Sequence, residues 1–235
     1  MQPALSIIVP VLNEARTLPG LLEDIKHCQT ALNLAIECVV VDGGSTDETV
    51  DICRKFNVLL VRGVRGRGQQ LALGAKRARG EVLLFVHADC RLKQEHCLTA
   101  IRAVQENGIF AGGFTLEFND PHVILRFAEM VNKIRFRITR IFYGDHGLFI
   151  SRKNYQASGG FPNQAIFEDV EFSRRLKKMG KVIMTPPAIE TSARRFRAGG
   201  VVRTYLKMAA LHIMYWLGFS PKVLARWYGV NSGQE

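Results

Sequence analysis

The sequence predicts an α/β protein, a mostly parallel sheet with helices on both faces. Three observations predict it. Short runs rich in Ile and Val recur in the first third of the chain, each is followed by a stretch with helical periodicity, and the runs are apolar throughout rather than alternating. Strands buried on both faces read in this way. Of 235 residues, 47% are hydrophobic and 23% charged, which excludes disorder and collagen-like repeats.

Leu5 to Leu12 is the first run, closed by Asn13-Glu14, and Leu18, Leu21, Leu22, Ile25 and Cys28 then share one helical face. Ile36 to Val41 is the second strand and Asp42-Gly43-Gly44-Ser45 its turn. Ser45 or Thr46 is the expected cap of a helix carrying Val50 and Cys53 on its apolar side. Val58 to Val61 is a third strand, Gln69 to Arg79 a helix, and Val82 to Val86 a fourth strand. Farther on, Gly112-Gly113-Phe114 is expected to precede a strand. Val123 to Phe142 reads as an amphipathic helix with Val123, Phe127, Met130, Ile134, Ile138 and Ile141 on one face. Gly144-Asp145-His146-Gly147 opens another strand, Gly159-Gly160-Phe161-Pro162 is a turn, and Glu168-Asp169 starts a helix through Lys178. With no repeat or linker, residues 1–200 are expected to form one domain and residues 201–235 a C-terminal helical extension.

Thirty-two Lys and Arg against twenty-one Asp and Glu give a net charge of +11, which favours an anionic partner: nucleic acid, a phosphorylated small molecule or an acidic membrane surface. No helix-turn-helix, RRM or zinc-finger pattern is present, so nucleic acid is not expected. Five cysteines without a CxxC, and a start without a basic n-region, fit a reduced cytoplasmic compartment. The apolar run from Met208 to Phe219 falls short of the roughly 20 residues that span a bilayer. Within the tail, Val201, Tyr205, Met208, Leu211 and Tyr215 or Trp216 recur at helical spacing, flanked by Arg203, Lys207, Lys222 and Arg226. Two readings suit this stripe: a helix packed on the preceding domain or on a second subunit, and a peripheral helix at the inner face of the cell membrane.

In a parallel sheet, ligands sit at the carboxyl ends of the strands. There the sequence places Asn13-Glu14, Asp42-Gly43-Gly44, Arg62 to Gly68 and His87-Ala88-Asp89, so carboxylates, glycines and arginines converge on one edge. They suit a phosphorylated ligand with a metal to bridge its charge. Gly66-Arg67-Gly68 has Leu71 where a dinucleotide fingerprint has its third glycine, and no Walker A lysine, GxSxG elbow or HExxH occurs. His87, Asp89 and Cys90 have no second cluster at zinc-ligand spacing.

Ser6 to Glu14, Val39 to Asp47, Arg67-Gly68 before Ala75, His87-Ala88-Asp89 and Glu168-Asp169, in that order, resemble the signature of the family 2 inverting glycosyltransferases of the GT-A fold, a Rossmann-like sheet flanked by helices. The resemblance runs from about Ser6 to Phe196. Gly144 to Phe149, Gly159 to Pro162 and Thr191 to Phe196 are similar to a small bacterial subgroup named for arsenosugar biosynthesis.

The resemblance implies inverting transfer of one hexosyl unit from a nucleotide-diphosphate sugar to an acceptor hydroxyl. Pro10, Asn13 and Glu14 would line the nucleotide pocket, Asp42 with Gly43 would meet the base, most naturally uracil N3 of a UDP-sugar, and Arg67 and Gly68 would flank base and ribose. Asp89 matches the last position of the DxD-type motif, where a carboxylate holds Mg2+ or Mn2+. His87 stands where the family has its first acid and falls in the same donor site. Asp169 matches the general base, with Glu168 orienting the loop or the acceptor, and Arg194 and Arg195 would steady the diphosphate. Gly113, His146 and Gly147 lie on the loops expected to bind the acceptor. A sugar-phosphate nucleotidyltransferase would carry a Gly-rich, Lys-bearing loop after its first strand, and Pro10 to Glu14 has neither residue. A non-catalytic nucleotide or polyanion binder is the other alternative, and the presence of both Asp89 and Asp169 counts against it.

Overall fold

A computed structural model describes residues 2–106 and 108–228, the side chain of Arg195 excepted. The first half follows the predicted alternation: β1 (Leu5–Val11), α1 (Leu18–Leu32), β2 (Ile36–Asp42), α2 (Thr49–Lys55), β3 (Leu59–Arg62), α3 (Arg67–Arg77) and β4 (Val82–Phe85). The second half adds β5 (Cys90–Arg91), α4 (Gln94–Gln105), β6 (Ile109–Phe118), α5 (Val123–Thr139), β7 (Leu148–Ser151), α6 (Arg152–Ala157), α7 (Glu168–Met179), β8 (Lys181–Thr191), α8 (Arg194–Gly199), α9 (Val201–Trp216) and α10 (Pro221–Tyr228).

The described strands form one sheet in the order β3-β2-β1-β4-β7-β6-β8-β5. β1 lies parallel to β2 and β4, β7 runs antiparallel between β4 and β6, and β8 is parallel to β6. Two reversals cancel, so β1, β2, β4 and β8 all point their carboxyl ends to the same edge.

Strand pleating separates the core into two layers. Leu5, Ile7, Val9 and Val11 of β1 and Val82 and Leu84 of β4 face one apolar cluster with α1, whose five predicted core residues are all buried. Ile8, Leu83 and Phe85 face the other, with Leu71 of α3 and Phe172 and Leu176 of α7. A third, smaller cluster joins Ile166, Phe167 and Val170 to Leu211 of α9 and Leu224 of α10. The tail is therefore packed on the start of α7.

Four expectations are corrected. α2 begins at Thr49 rather than behind Ser45 or Thr46, because those two residues bond to the first loop: Asn13 N donates to Ser45 Oγ at 2.9 Å and Thr46 N to Asn13 Oδ1 at 2.8 Å. Gly112 and Gly113 lie inside β6 rather than ahead of it. α5 stops at Thr139, with Arg140 in the left-handed conformation, and it packs through Leu125, Ala128 and Phe136. The stripe of Val123, Phe127, Met130, Ile134 and Ile138 is instead exposed, since the helix has two apolar faces and the smaller one fits the sheet. Ile141 is buried but lies beyond the helix. In the tail, Val201, Tyr205 and Met208 pack on the first cluster and Leu211 and Tyr215 on the third, so the packed reading describes this stripe, and Trp216 remains exposed. No described helix is long and apolar enough to cross a membrane.

The glycines of β6 make room for rings. A Cβ on Gly112 would stand 2.3 Å from Cε2 and Cζ of Phe149, which is fully buried. Gly112→Ala should therefore cost about 1–3 kcal/mol through overpacking, read as a lower midpoint in chemical denaturation. An unchanged midpoint would contradict this packing.

Candidate active site

A cavity of about 430 Å³ opens at the shared carboxyl edge. Its walls come from the end of β1 (Pro10, Val11) with Glu14, from Arg67 and Gln70 of α3, from His87 to Asp89 behind β4, and from Thr191, Ser192 and Arg194 at the end of β8. Tyr143 to Asp145 and Ala165 to Asp169 close one side, and Thr204, Met208, Leu211, His212 and Tyr228 of the tail close another.

One wall is built around Arg67. Its Nε donates to Glu168 Oε1 in a short contact, and its Nη2 lies 3.3 Å from Asp169 Oδ2. Burial works against charge on Arg67, but the two carboxylates more than offset it and raise its pKa. Glu168 is 1% exposed; burial pushes its carboxyl up while Arg67 holds it down, and the net direction is up. Asp169 is oriented by backbone as well: Gly144 N donates to Oδ2 at 2.7 Å and Val170 N to Oδ1 at 2.7 Å. Three of about four carboxylate acceptor sites are thus used, which leaves one on Oδ1. Gly144 is small because His87 approaches it: a Cβ there would meet His87 Nε2 at 2.7 Å.

The opposite wall carries a second group. Arg194 Nη2 donates to Glu14 Oε1 at 2.6 Å, and Arg194 Nε lies 3.7 Å from Asp89 Oδ2. The hydrogen bond to Glu14 raises the Arg194 pKa further. Thr17 Oγ1 holds the other Glu14 oxygen at 2.7 Å. Arginine and carboxylate thus face each other from both sides of the cavity.

The structure brings Pro10, Glu14, Arg67, His87, Asp89, Glu168, Asp169 and Arg194 to this cavity. Among the other expected residues whose side chains are described, none lines it. Asn13 is committed to Ser45 and Thr46, and Asp42, 4% exposed, accepts from the backbone N–H groups of Gly44 and Ser45 at 3.0–3.2 Å. Gly43 packs on the Gln70 side chain, and Gly68 abuts the Pro162 carbonyl and Glu168, so these residues shape the edge from behind. The expected acceptor residues are also set back. Gly113 backs onto the Phe142 ring, His146 is fully buried with Nδ1 2.9 Å from Phe114 O, and Gly147 packs on Ile189 and Phe114. The Arg195 side chain lies outside the described residues.

Sequence reasoning missed several lining residues. Gln70 Nε2 donates to Val11 O at 2.9 Å and Val41 O at 2.8 Å, tying β1 to β2 under the site. His212 packs at a tilt against Tyr143 and edge-on against Phe167, with ring centroids 4.8 Å away, while its Nε2 is buried without a hydrogen-bond partner. Burial lowers its pKa, which favours the neutral ring. Asp145 Oδ1 is buried and unpartnered as well. The signal for His212 was its interruption of the apolar run from Met208 to Phe219.

Phe167, just ahead of the two carboxylates, has φ 63° and so occupies the left-handed region. For a bulky side chain this conformation is costly unless neighbours enforce it. Tyr215 at 4.6 Å and His212 at 4.8 Å clamp its ring.

Among the described residues, no group of three or more His, Cys, Asp or Glu could hold a metal ion by protein ligands alone. One or two carboxylates that leave positions for phosphate oxygens and water are, however, the usual way to bind Mg2+. Asp89 on the cavity wall, with the orphaned Asp145 Oδ1 in the same lining, fits that pattern.

Comparison with known proteins bears on this geometry. "Glycosyltransferase AglE" of Haloferax volcanii is 26% identical over 94% of this chain and 82% of its own length. The "PGL/p-HBAD biosynthesis glycosyltransferase" of Mycobacterium bovis is 39% identical over 43% of this chain, which spans 41% of that protein. Among solved structures, a mannosyltransferase from Pyrobaculum calidifontis in complex with GDP-Man and Mn2+ superposes with a TM-score of 0.66 at 23% identity, covering 89% of this chain and 65% of that one. This chain thus spans under two thirds of the last two. The likeness establishes the GT-A fold that the sequence predicts. Residues 6–159 match the sequence profile described as Glycosyl transferase family 2, and it is to this family that the chain belongs.

Proposed function

We propose that this protein transfers one sugar from a nucleotide-diphosphate sugar to an acceptor hydroxyl with inversion at the anomeric carbon, with Asp169 as general base. The observation that carries this reading is the meeting of Asp89 and Asp169 in one cavity, one carboxylate on the donor wall and one on the wall shared with the tail. The Pyrobaculum neighbour, solved with GDP-Man and Mn2+, and a Staphylococcus aureus structure solved with UDP-GlcNAc support a nucleotide-sugar donor.

Inversion in one displacement needs a base beside the attacking hydroxyl and positive charge beside the leaving diphosphate. Asp169 keeps one acceptor site open while Gly144 N, Val170 N and Arg67 fix its orientation. Arg194 supplies charge on the donor side. It already bonds to Glu14, and an arriving diphosphate would compete with that carboxylate for the guanidinium. Asp89 would hold Mg2+ or Mn2+, which when bound neutralises charge on the diphosphate. On the acceptor side, Met208, Leu211 and Tyr228 offer apolar surface and His212 Nε2 an unused polar atom. The tail helices, through Thr204 to Tyr228, would therefore complete the active site of the domain formed by residues 1–200. A UDP-sugar is the expected donor, and a thermal-shift panel of nucleotide diphosphates tests that preference, because a ligand that binds only the folded state raises apparent stability.

Asp169→Asn keeps size and most hydrogen bonding but removes the base. Turnover should fall by roughly 10² to 10⁴ while donor binding is retained. Steady-state kinetics with donor titrations check this, and unchanged turnover removes Asp169 from the mechanism.

Asp89→Ala should abolish the gain in donor affinity that Mn2+ gives over EDTA in calorimetric titrations. Equal donor affinity of the unsubstituted protein in Mn2+ and in EDTA would show that Arg194 and its neighbours carry the diphosphate charge alone.

A further inference from the structure

The stripe on α5 that faces away from the sheet is the largest departure from the predicted packing. Phe127 is 58% exposed, Ile134 49% and Ile138 79%, at positions that share one helix face with Val123 and Met130. α9 touches α5 and presents an exposed apolar side of its own, opposite the stripe it packs inward, including Leu206 at 65% and Trp216 at 54%. α10 adds Trp227 at 65%. Exposed apolar side chains in this number on helices that touch one another mark an interaction site rather than ordinary exposure.

The charges on these helices select the partner. Within α5, α9 and α10, seven Lys or Arg are exposed, and the only acid is Glu129. Glu129 is already used, by Arg126 at 2.9 Å and by Phe118 N at 2.8 Å. Two copies of such a face would bring like charges together, and an acidic surface with an apolar interior would satisfy both features at once. The helices are 17, 16 and 8 residues long with cations on each, which suits lying along an interface rather than crossing it. Exposed Trp216 and Trp227 suit the headgroup level.

We propose that the outward faces of α5, α9 and α10 form a docking surface for an anionic lipid bilayer. The opposite side of α9 supplies Thr204, Met208, Leu211 and His212 to the cavity, so the bilayer would lie beside the acceptor side of the cleft. The surface stands on exposure and charge alone and does not depend on the transferase reading.

Co-sedimentation of the purified full chain with vesicles of phosphatidylcholine, with or without phosphatidylglycerol, at low and high salt tests it. We expect binding to the anionic vesicles at low salt, weakened by high salt, and a roughly tenfold or greater loss of bound fraction for the pair F127E/I134E and for L206E. These positions are solvent-exposed and outside the cavity, and an unchanged melting temperature and nucleotide-diphosphate thermal shift would show that fold and donor site are intact. No binding to anionic vesicles at low salt overturns the proposal, as does binding that both variants retain. A dimer in light scattering that the variants dissolve, without vesicle binding, would assign the face to a second copy and overturn it as well. Vesicle binding is read without turnover, so failure here leaves the catalytic reading untouched, and failure of turnover leaves this one untouched.

Discussion

The guanidinium of Arg67 supplies the charge that two adjacent carboxylates need if both are to sit beneath the surface of the cleft. Glu168 is almost wholly buried and Asp169 nearly so, and buried carboxylates without a cation are pushed toward their neutral forms. Arg67 reaches both from the first turn of α3, so a contact between residues about a hundred positions apart fixes α3 against the start of α7. Close approach of the two segments at Gly68 makes that reach short. Removal of Arg67 would free the charges and the helix together, which is why it belongs to the architecture as much as to the site.

The tail enters through Phe167. Its left-handed backbone sets the direction in which α7 starts, and the aromatic clamp from His212 and Tyr215 offsets the cost of that conformation. Secondary structure beyond the sheet thereby controls the carboxylate that the sheet's own edge does not hold. Helix α9 has three tasks: its inner residues extend the core, its flank lines the cavity, and its outer residues remain apolar and exposed.

The first half of the fold was legible because its signals agree. Ile- and Val-rich runs, turn residues and the spacing of Leu18, Leu21, Leu22, Ile25 and Cys28 all specify the same elements, and the structure buries each of those five. β8 was not legible, since Thr185-Pro186-Pro187 interrupts its apolar pattern and reads as a breaker. α5 misled because a helix with two apolar faces does not say which one meets the sheet. In the site, the residues that directly follow strands or open helices, such as Asp89 and Asp169, were correctly brought to the edge. Asn13 and Asp42 stand at the same edge and also hold the loops there by hydrogen bonds, which spacing cannot reveal. His146 was read from a loop motif, and only packing shows that its ring turns inward.

Inversion as proposed requires a single working carboxylate next to the acceptor. A double displacement would require a second carboxylate able to reach the anomeric carbon, as in retaining glycosidases. Glu168 is the nearest neighbour in sequence, yet its carboxylate is engaged by Arg67 and only 1% exposed, which disfavours it as a nucleophile. The anomeric configuration of the product, read by proton NMR from the coupling at C1 during turnover of an accepted donor, is therefore the most direct measurement. Configuration opposite to that of the donor is the predicted result, and retention would contradict the assignment of one base and one displacement.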